Sequence, residues 1–235
     1  MSQVPLTAAD LEVLTEWDTP TICNALEIVV PARRGYGFTT SPLVCARPSL
    51  KPIIGYARTA SIRAAAPSTM PAADARSHRA AYYEYVADAP GPTISVIEDL
   101  DPHPGVGAFW GEVNTAIHKG LGCLGVVTSG SIRDLDDCAA GFQLLAGQVG
   151  PSHAHVHVVE IGPRVTVHGM EVDSNDIIHA DQHGAVVIPA EAVTALPAAI
   201  ELIARREAVI LEAARKPGFN IDILKQAMAD SAEIH

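Results

Sequence analysis

The sequence predicts a protein of mixed α/β layers that ends in a long helix. Short strand-like runs alternate with helical segments in the first half, and several more strand-like runs precede one long amphipathic segment. A chain of 235 residues, 48% of them hydrophobic, is large enough to bury a full core. We therefore expect a single domain over residues 1–235, with a helical extension from about residue 190.

The first half is predicted to begin with two short helices, for which Thr7 and Thr19 are the candidate N-caps. A stretch rich in proline, glycine and arginine then predicts an ordered surface loop. The predicted elements are helices at residues 7–17, 20–28 and 72–86, a loop at 30–52, and strands at 55–64 and 93–97.

The second half follows a central unit in which glycines separate a loop, a helix, a strand and a turn over residues 107–134. Turns at Gly162-Pro163 and His183-Gly184 divide the strand-like runs that come next. The predicted elements are strands at 143–146, 155–161, 164–167, 176–179 and 185–188, and helices at 190–216 and 221–229.

Charge and composition exclude several classes of function. The chain has 16 basic and 27 acidic residues, a net charge of -11, which argues against binding to a phosphate backbone. Its four cysteines show no C-x-x-C pair and are typical of reduced thiols in a cytosolic protein. We also find no run long enough to span a membrane and no signal-peptide pattern at the N-terminus, so we expect a cytoplasmic protein that binds neither nucleic acid nor membrane.

The central unit contains the most informative residues. Glu112 opens the predicted helix, and Arg133 and Asp134 follow the predicted strand after twenty intervening residues, so all three can lie at one rim of a sheet. First-turn N–H groups can hold an anion, an arginine fork suits a carboxylate, and an aspartate oxygen suits Mg²⁺. An isolated Arg-Asp pair is more often a surface turn or a structural ion pair, and the spacing alone leaves both interpretations open.

Several motifs together resemble the RraA-like family. They are W-G-E at residues 110–112, G-V-V-T-S-G-S-I-R-D at 125–134, and G-M-E-V-x-x-x-D-I-I-H-A-D-Q-H-G-A-V-V-I-P at 169–189. The similarity runs from about Asp18 through Pro189. It implies a layered sandwich of the swivelling-domain type with a central mixed sheet, assembled as a homotrimer or homohexamer with sites between subunits.

The resemblance also implies a function. The family includes class II 4-hydroxy-4-methyl-2-oxoglutarate/4-carboxy-4-hydroxy-2-oxoadipate aldolases, lyases that cleave a 4-hydroxy-2-oxo acid to pyruvate and a second oxo acid, with oxaloacetate decarboxylation through the same pyruvate enolate. Active members carry an acid, twenty residues and Arg-Asp, which here are Glu112, Arg133 and Asp134. One alternative is a regulator-type member, which binds and inhibits a ribonuclease and lacks the first acid. The other is a paralogue that binds a sugar or keto acid without turnover.

By the same resemblance the expected cofactor is Mg²⁺ or Mn²⁺, bound directly by Asp134 and through water by Glu112 and Glu207, the last from a neighbouring subunit. The alternative for Glu207 is a solvated i,i+4 partner on the helix surface. Arg133 and the N–H groups of Val113 and Asn114 are expected to bind the small 2-oxo acid substrate. The chain departs from the family at two positions, because Glu112 stands where the aldolases commonly carry Asp and Ser129 where Asp is frequent.

Three further assignments come from the residues. The helix over residues 113–121 is predicted to be amphipathic, with Val113, Ile117 and Leu121 at a spacing of four. His118 lies one turn after Asn114 and is a candidate substrate contact, as is His153, which strand alternation would place on one face with His155 and His157. The alternative for these histidines is a structural or exposed side chain.

Overall fold

The computed structural model describes residues 6–235. Within these residues it contains six α-helices and eleven β-strands. The helices are α1 (Ala8–Glu12), α2 (Thr19–Val29), α3 (Ala72–Ala87), α4 (Glu112–Gly120), α5 (Leu196–Ala214) and α6 (Ile221–Ala232). The strands are β1 (Val44–Cys45), β2 (Ile53–Arg63), β3 (Thr93–Asp99), β4 (Ala108–Trp110), β5 (Cys123–Ile132), β6 (Gln143–Val149), β7 (His157–Ile161), β8 (Val165–Val167), β9 (Met170–Val172), β10 (Ile177–Asp181) and β11 (Gly184–Ile188).

Nine of these strands form one mixed sheet, in the order β1-β6-β5-β3-β2-β10-β11, with β4 paired to β5 and β7 paired to β2. The central strands β2, β3, β5 and β6 run parallel, whereas β1, β7, β10 and β11 pair antiparallel with their neighbours. The β8–β9 hairpin forms a separate two-stranded sheet. The predicted mixed α/β fold with a long C-terminal helix is confirmed.

Hydrophobic side chains project from both faces of the sheet, because successive residues of a strand point in opposite directions. Val126 on β5 joins an aromatic cluster with Tyr82 of α3, whereas the next residue, Val127, packs towards the β8–β9 hairpin. A third cluster holds α1, α2 and α5 against β10 and β11. The central strands are therefore buried on both sides, which explains their nearly continuous apolar sequences.

Most predicted elements lie where the sequence placed them, but several boundaries are corrected. Thr7 is the N-cap of α1 in a capping box with Asp10, as predicted, whereas α2 is capped by Asp18 and not by Thr19. A 3-10 turn at Ala190–Ala195 precedes the long helix, which begins only at Leu196. The short strands β1, β4 and β9 were not predicted, since two or three residues carry too little periodicity.

No helix within residues 6–235 combines the length and the apolar character that crossing a bilayer requires.

Candidate active site

Glu112, Arg133 and Asp134 come together because β4 pairs with the last residues of β5. Trp110, the last residue of β4, stands opposite Ile132, and the N–H group of Arg133 donates to the carbonyl oxygen of Trp110 at 2.9 Å. Gly111 then leads directly into α4, whose first residue is Glu112. The start of the helix and the end of β5 are therefore side by side, as the sequence predicted.

Asp134 is held by its backbone as well as by its side chain. Its φ of 51° lies in the left-handed region, and its carbonyl oxygen accepts the N–H groups of Asp137 and Cys138 at 3.0 and 2.9 Å. The N–H group of Glu112 lies 3.4 Å from the Asp134 carboxylate oxygen Oδ2, and Arg133 Nε lies 3.4 Å from the same oxygen. The carboxylate thus lies at the positive N-terminal end of α4.

A glycine makes room for this carboxylate. A Cβ atom added to Gly111 would lie 2.5 Å from Asp134 Oδ2 and 3.2 Å from Arg133 Cγ. The backbone of Gly111 is extended, with φ at -164°, so its conformation does not itself require glycine. What requires glycine here is the close approach of the aspartate side chain.

The site is open to solvent. The side chains of Arg133 and Asp134 are 36% and 37% exposed, Glu112 is exposed, and Val113 is 69% exposed. At this exposure an ion pair contributes only about 0–1 kcal/mol, so contact between Arg133 and Asp134 does little for stability. Both groups, together with the first-turn N–H groups of Val113 and Asn114 that lack intrahelical partners, remain accessible to a small charged ligand.

The carboxylates at this site fit a hard, largely hydrated divalent cation. Asp134 and Glu112 supply carboxylate oxygens only, and Mg²⁺ is commonly bound by one or two protein carboxylates with several waters. The room that Gly111 leaves beside Asp134 Oδ2 is consistent with a carboxylate that must be accurately placed. Within the described part of the chain, no group of three or more His, Cys, Asp or Glu side chains is arranged to hold a metal.

The structure places His118 in the core and not at the surface of the site. It is 0% exposed and packs between aromatic rings, with the ring of Trp110 at a centroid distance of 4.4 Å. Its Nδ1–H donates to the Asn114 carbonyl oxygen at 2.7 Å, and its Nε2 lies 2.9 Å from the Tyr82 hydroxyl oxygen. Burial lowers the pKa of His118 to about 4, against a small opposing effect of the Asn114 carbonyl, so the ring is neutral and structural.

The predicted face of α4 is correct only in part. Thr115 and His118 are its buried residues and Val113 points to solvent, whereas Leu121 is half-buried against the aromatic cluster. The side chain of Asn114 is half-buried and already engaged, since its amide donates to the Phe109 carbonyl oxygen and its Oδ1 accepts the Tyr83 hydroxyl at 2.8 Å. In a substrate-binding role Asn114 can therefore offer its backbone N–H rather than its side chain.

The three histidines of residues 153–157 do not share a strand face, because β7 begins only at His157. His153 and His155 lie in the preceding loop and are exposed, and the His153 Nδ1–H donates to the Ala154 carbonyl oxygen. The His153 backbone oxygen packs closely against Gly107, at the end of β4 away from Glu112.

Two other predicted residues lie elsewhere. Glu207 is exposed on α5, a helix that packs against α2 and α6. The hydroxyl of Ser129, the second departure from the family pattern, accepts the N–H group of Asp99 at 2.9 Å and so has a structural partner on β3. The roles of Glu207, His153 and the three central residues stay predictions.

Arg47 supports the site from a distant loop and was not found from the sequence. Its guanidinium donates to the carbonyl oxygens of Leu135 at 3.3 Å and Cys138 at 2.7 Å, on either side of the turn that follows Asp134. Gln143 in turn donates to the Arg47 carbonyl oxygen at 3.2 Å. No local signal in the sequence connects Arg47 to this turn, because the contact depends on the tertiary path of the loop.

Comparison with known proteins identifies the fold and the family. A family model described as RraA-like, Aldolase/RraA, matches residues 19–187. The chain therefore belongs to the RraA-like family, which includes both aldolase-type enzymes and ribonuclease inhibitors. No curated protein matches the sequence significantly.

Three solved structures share the fold at low sequence identity. An uncharacterized protein from Pseudomonas syringae pv. tomato str. DC3000 is 19% identical with a TM-score of 0.71, covering 98% of this chain and 97% of its own. A structure described under novel cellulases from microbes associated with the gut ecosystem is 16% identical with a TM-score of 0.71, covering 88% and 89%. Streptomyces coelicolor RraAS2, described as an unusual member of the RNase ES inhibitor RraA family, is 17% identical with a TM-score of 0.67, covering 88% and 100%.

Proposed function

We propose that the protein is a divalent-metal-dependent lyase that cleaves a 4-hydroxy-2-oxo acid to pyruvate and a second oxo acid, and that decarboxylates oxaloacetate through the same pyruvate enolate. The observation that carries this proposal is the placement of Glu112 and Asp134 at one end of α4, where the Glu112 N–H group lies 3.4 Å from Asp134 Oδ2. Arg133 lies beside them with an accessible guanidinium.

Binding of the substrate follows from charge and hydrogen-bonding capacity. The guanidinium of Arg133 can bind the C1 carboxylate through two parallel N–H donors. The first-turn N–H groups of Val113 and Asn114 point outward from the start of α4 and can donate to the same end of the substrate. These donors are fixed by the helix before the substrate arrives, which favours stabilisation of developing negative charge.

Cleavage requires removal of the proton from the C4 hydroxyl. The exposed Glu112 carboxylate would accept that proton through a bound water molecule. The C4 oxygen then forms a carbonyl group, the C3–C4 bond breaks, and its electron pair moves towards C2 to give the enolate of pyruvate. Arg133 and the N–H groups of α4 stabilise the negative oxygen of the enolate. Return of the proton from Glu112 to C3, through water, completes the reaction.

The cation implied by the family is Mg²⁺ or Mn²⁺, which Asp134 would bind directly and Glu112 through water. When bound, such an ion acts as a Lewis acid on the 2-oxo group. No lysine needs to form a Schiff base, since Lys119 is engaged with the carbonyl oxygen of Ala140 on the surface.

The test is pyruvate release, coupled to lactate dehydrogenase, from oxaloacetate and from 4-hydroxy-4-methyl-2-oxoglutarate with Mg²⁺ or EDTA. We expect turnover that depends on Mg²⁺ and falls by at least about 10²-fold in Asp134→Ala. Asp136→Ala is the matched control, since it removes an exposed carboxylate from the same turn. It is expected to retain the wild-type rate.

Absence of turnover on both compounds, from folded protein with Mg²⁺ present, would reject these two substrates. A wild-type rate of pyruvate release in Asp134→Ala would show that the active site lies elsewhere. In the first case, inhibition of a ribonuclease by the purified protein would favour the regulator class, to which the description of Streptomyces coelicolor RraAS2 points.

A further inference from the structure

Thr115, in the first turn of α4, is completely buried and links two parts of the candidate active site. Its Oγ1 donates to the Glu112 carbonyl oxygen at 2.9 Å and accepts the Ala139 N–H group at 2.9 Å. Its own N–H group donates to the Gly111 carbonyl oxygen at 3.0 Å. One residue therefore satisfies the first two carbonyl groups at the start of the helix.

The two bonds of this hydroxyl differ in kind. Donation from a threonine to a carbonyl oxygen one turn earlier is common in helices and is local. The bond from Ala139 instead spans 24 residues and joins α4 to the segment after β5. Ala139 directly follows the turn in which the Asp134 carbonyl oxygen accepts the Asp137 and Cys138 N–H groups. The Thr115 hydroxyl thus connects the backbone of Glu112 to the end of the turn that begins at Asp134.

Other contacts to this turn are more exposed. Lys119 donates from an exposed side chain to the Ala140 carbonyl oxygen, and Arg47 donates from a distant loop to the carbonyl oxygens of Leu135 and Cys138. Among these contacts, only that of Thr115 runs through a completely buried short side chain to the residue that carries the first acid. A short buried side chain has little rotational freedom, so its hydrogen bonds define a distance more closely than those of a long surface lysine.

We propose that Thr115 is a positioning residue that sets the separation between the Glu112 and Asp134 carboxylates. The inference rests on the proposed function of those two acids, since the Thr115 side chain is buried and touches no substrate. Without the hydroxyl, the Ala139 N–H group loses its acceptor and the turn can move relative to α4. The two acids would then lose alignment, although each side chain is still present.

The experiment compares Thr115→Val, which keeps the shape of the side chain, with Thr115→Ser, which keeps the hydroxyl. Thr128→Val is the matched control, because Thr128 is also 0% exposed and its Oγ1 donates to the Ile97 carbonyl oxygen at 2.8 Å and accepts the Gly130 N–H group at 3.0 Å. Each protein is measured for Mn²⁺ affinity by electron paramagnetic resonance, for kcat and KM of pyruvate release, and for hydrogen exchange of the amides in residues 133–140.

We expect Thr115→Val to weaken Mn²⁺ binding and lower kcat by about tenfold or more, with a smaller change in KM, and to speed exchange in residues 133–140. Thr115→Ser should restore all three quantities to within about twofold of wild type, as expected when the hydroxyl and not the methyl group is responsible. Thr128→Val should leave Mn²⁺ affinity and kcat close to wild type even if its Tm falls.

Wild-type Mn²⁺ affinity, kcat and exchange in Thr115→Val would overturn the proposal, as would an equal loss in Thr128→Val. If the wild-type protein releases no pyruvate but binds Mn²⁺, the proposed function fails while Mn²⁺ affinity and hydrogen exchange still decide the role of Thr115. If the wild type does not bind Mn²⁺ either, hydrogen exchange alone decides whether Thr115 holds the turn to α4. Unchanged exchange in Thr115→Val rejects that role, whereas faster exchange that Thr115→Ser restores to the wild-type rate supports it.

Discussion

The carboxylate of Asp134 occupies the space in which Gly111 would carry a side chain, since a Cβ atom there would lie 2.5 Å from Oδ2. Carbon and oxygen atoms in ordinary contact are about 3.5 Å apart, so the two cannot coexist without movement. The relationship joins the residue before α4 to the residue pair after β5. The position of the Asp134 carboxylate therefore depends on the absence of a side chain at Gly111.

We expect Gly111→Ala to displace the Asp134 side chain and to reduce kcat/KM by about tenfold or more, because small displacements of reacting groups are costly. Stability should change little, since the extended backbone of Gly111 suits any residue. Steady-state kinetics and Mn²⁺ affinity measure the effect. Gly120→Ala is the control, since nothing lies within 4 Å of its added Cβ atom. Equal activity of Gly111→Ala and wild type would show that catalysis does not depend on the close approach of Asp134 to Gly111.

Glu112 is expected to act through its carboxylate, so Glu112→Gln should lower kcat by about 10²–10⁴-fold, the usual contribution of a general base. Glu112→Asp restores the residue common in the related aldolases and withdraws the carboxylate by one methylene, and it should retain activity within about tenfold. Asp222→Asn is the control, because it removes an acid from the first turn of a different helix, α6, and so shows the effect of losing a favourable charge at a helix N-terminus. Full activity of Glu112→Gln would assign proton transfer to another group.

The sequence located the three charged residues because each stands next to a glycine or at the end of an apolar run, which are local signals. The supporting contacts were missed because they are tertiary. Thr115 was not singled out from the sequence and His118 was predicted as a candidate substrate contact, yet both form the buried face of α4. Arg47 lies in a loop whose path decides its contact with Leu135 and Cys138. Helix periodicity placed Val113 on the buried face, although it is exposed. It missed His118 because the core around that residue is aromatic and accepts a neutral, hydrogen-bonded imidazole.

The buried His118 predicts a loss of stability in acid. Its pKa of about 4 in the folded protein lies below the ordinary value of 6.5, so the unfolded chain binds the proton more tightly. The free energy of unfolding is therefore unaffected by this proton above pH 6.5. As the pH falls towards 4, it decreases by about 3 kcal/mol in total on account of His118. Desolvation of His179 lowers its pKa as well and adds a loss of the same sign.

The contribution of His118 is isolated by measuring the free energy of unfolding of wild type and His118→Gln by chemical denaturation between pH 7 and 4. The free energy of unfolding of wild type should fall by about 3 kcal/mol relative to that of His118→Gln between pH 7 and 4, because glutamine does not titrate there. His179 is present in both and cancels. A difference that stays constant with pH would show that His118 has an ordinary pKa.

Glu207 gives a prediction about assembly, because it lies on α5, which packs against α2 and α6 of its own chain. The family resemblance leads us to propose that Glu207 reaches the cation of a neighbouring subunit in a homo-oligomer. Asp134→Ala and Glu207→Gln should each be inactive or nearly so, yet mixed oligomers of the two should regain activity.

Random mixing of the two variants at equal concentrations places both intact residues in about a quarter of the sites of a closed ring. Pyruvate release after dissociation and reassembly of the mixture is compared with that of each variant treated alone. Recovery towards a quarter of the wild-type rate supports a site shared between subunits, whereas a mixture no more active than its components would place Glu207 outside the site.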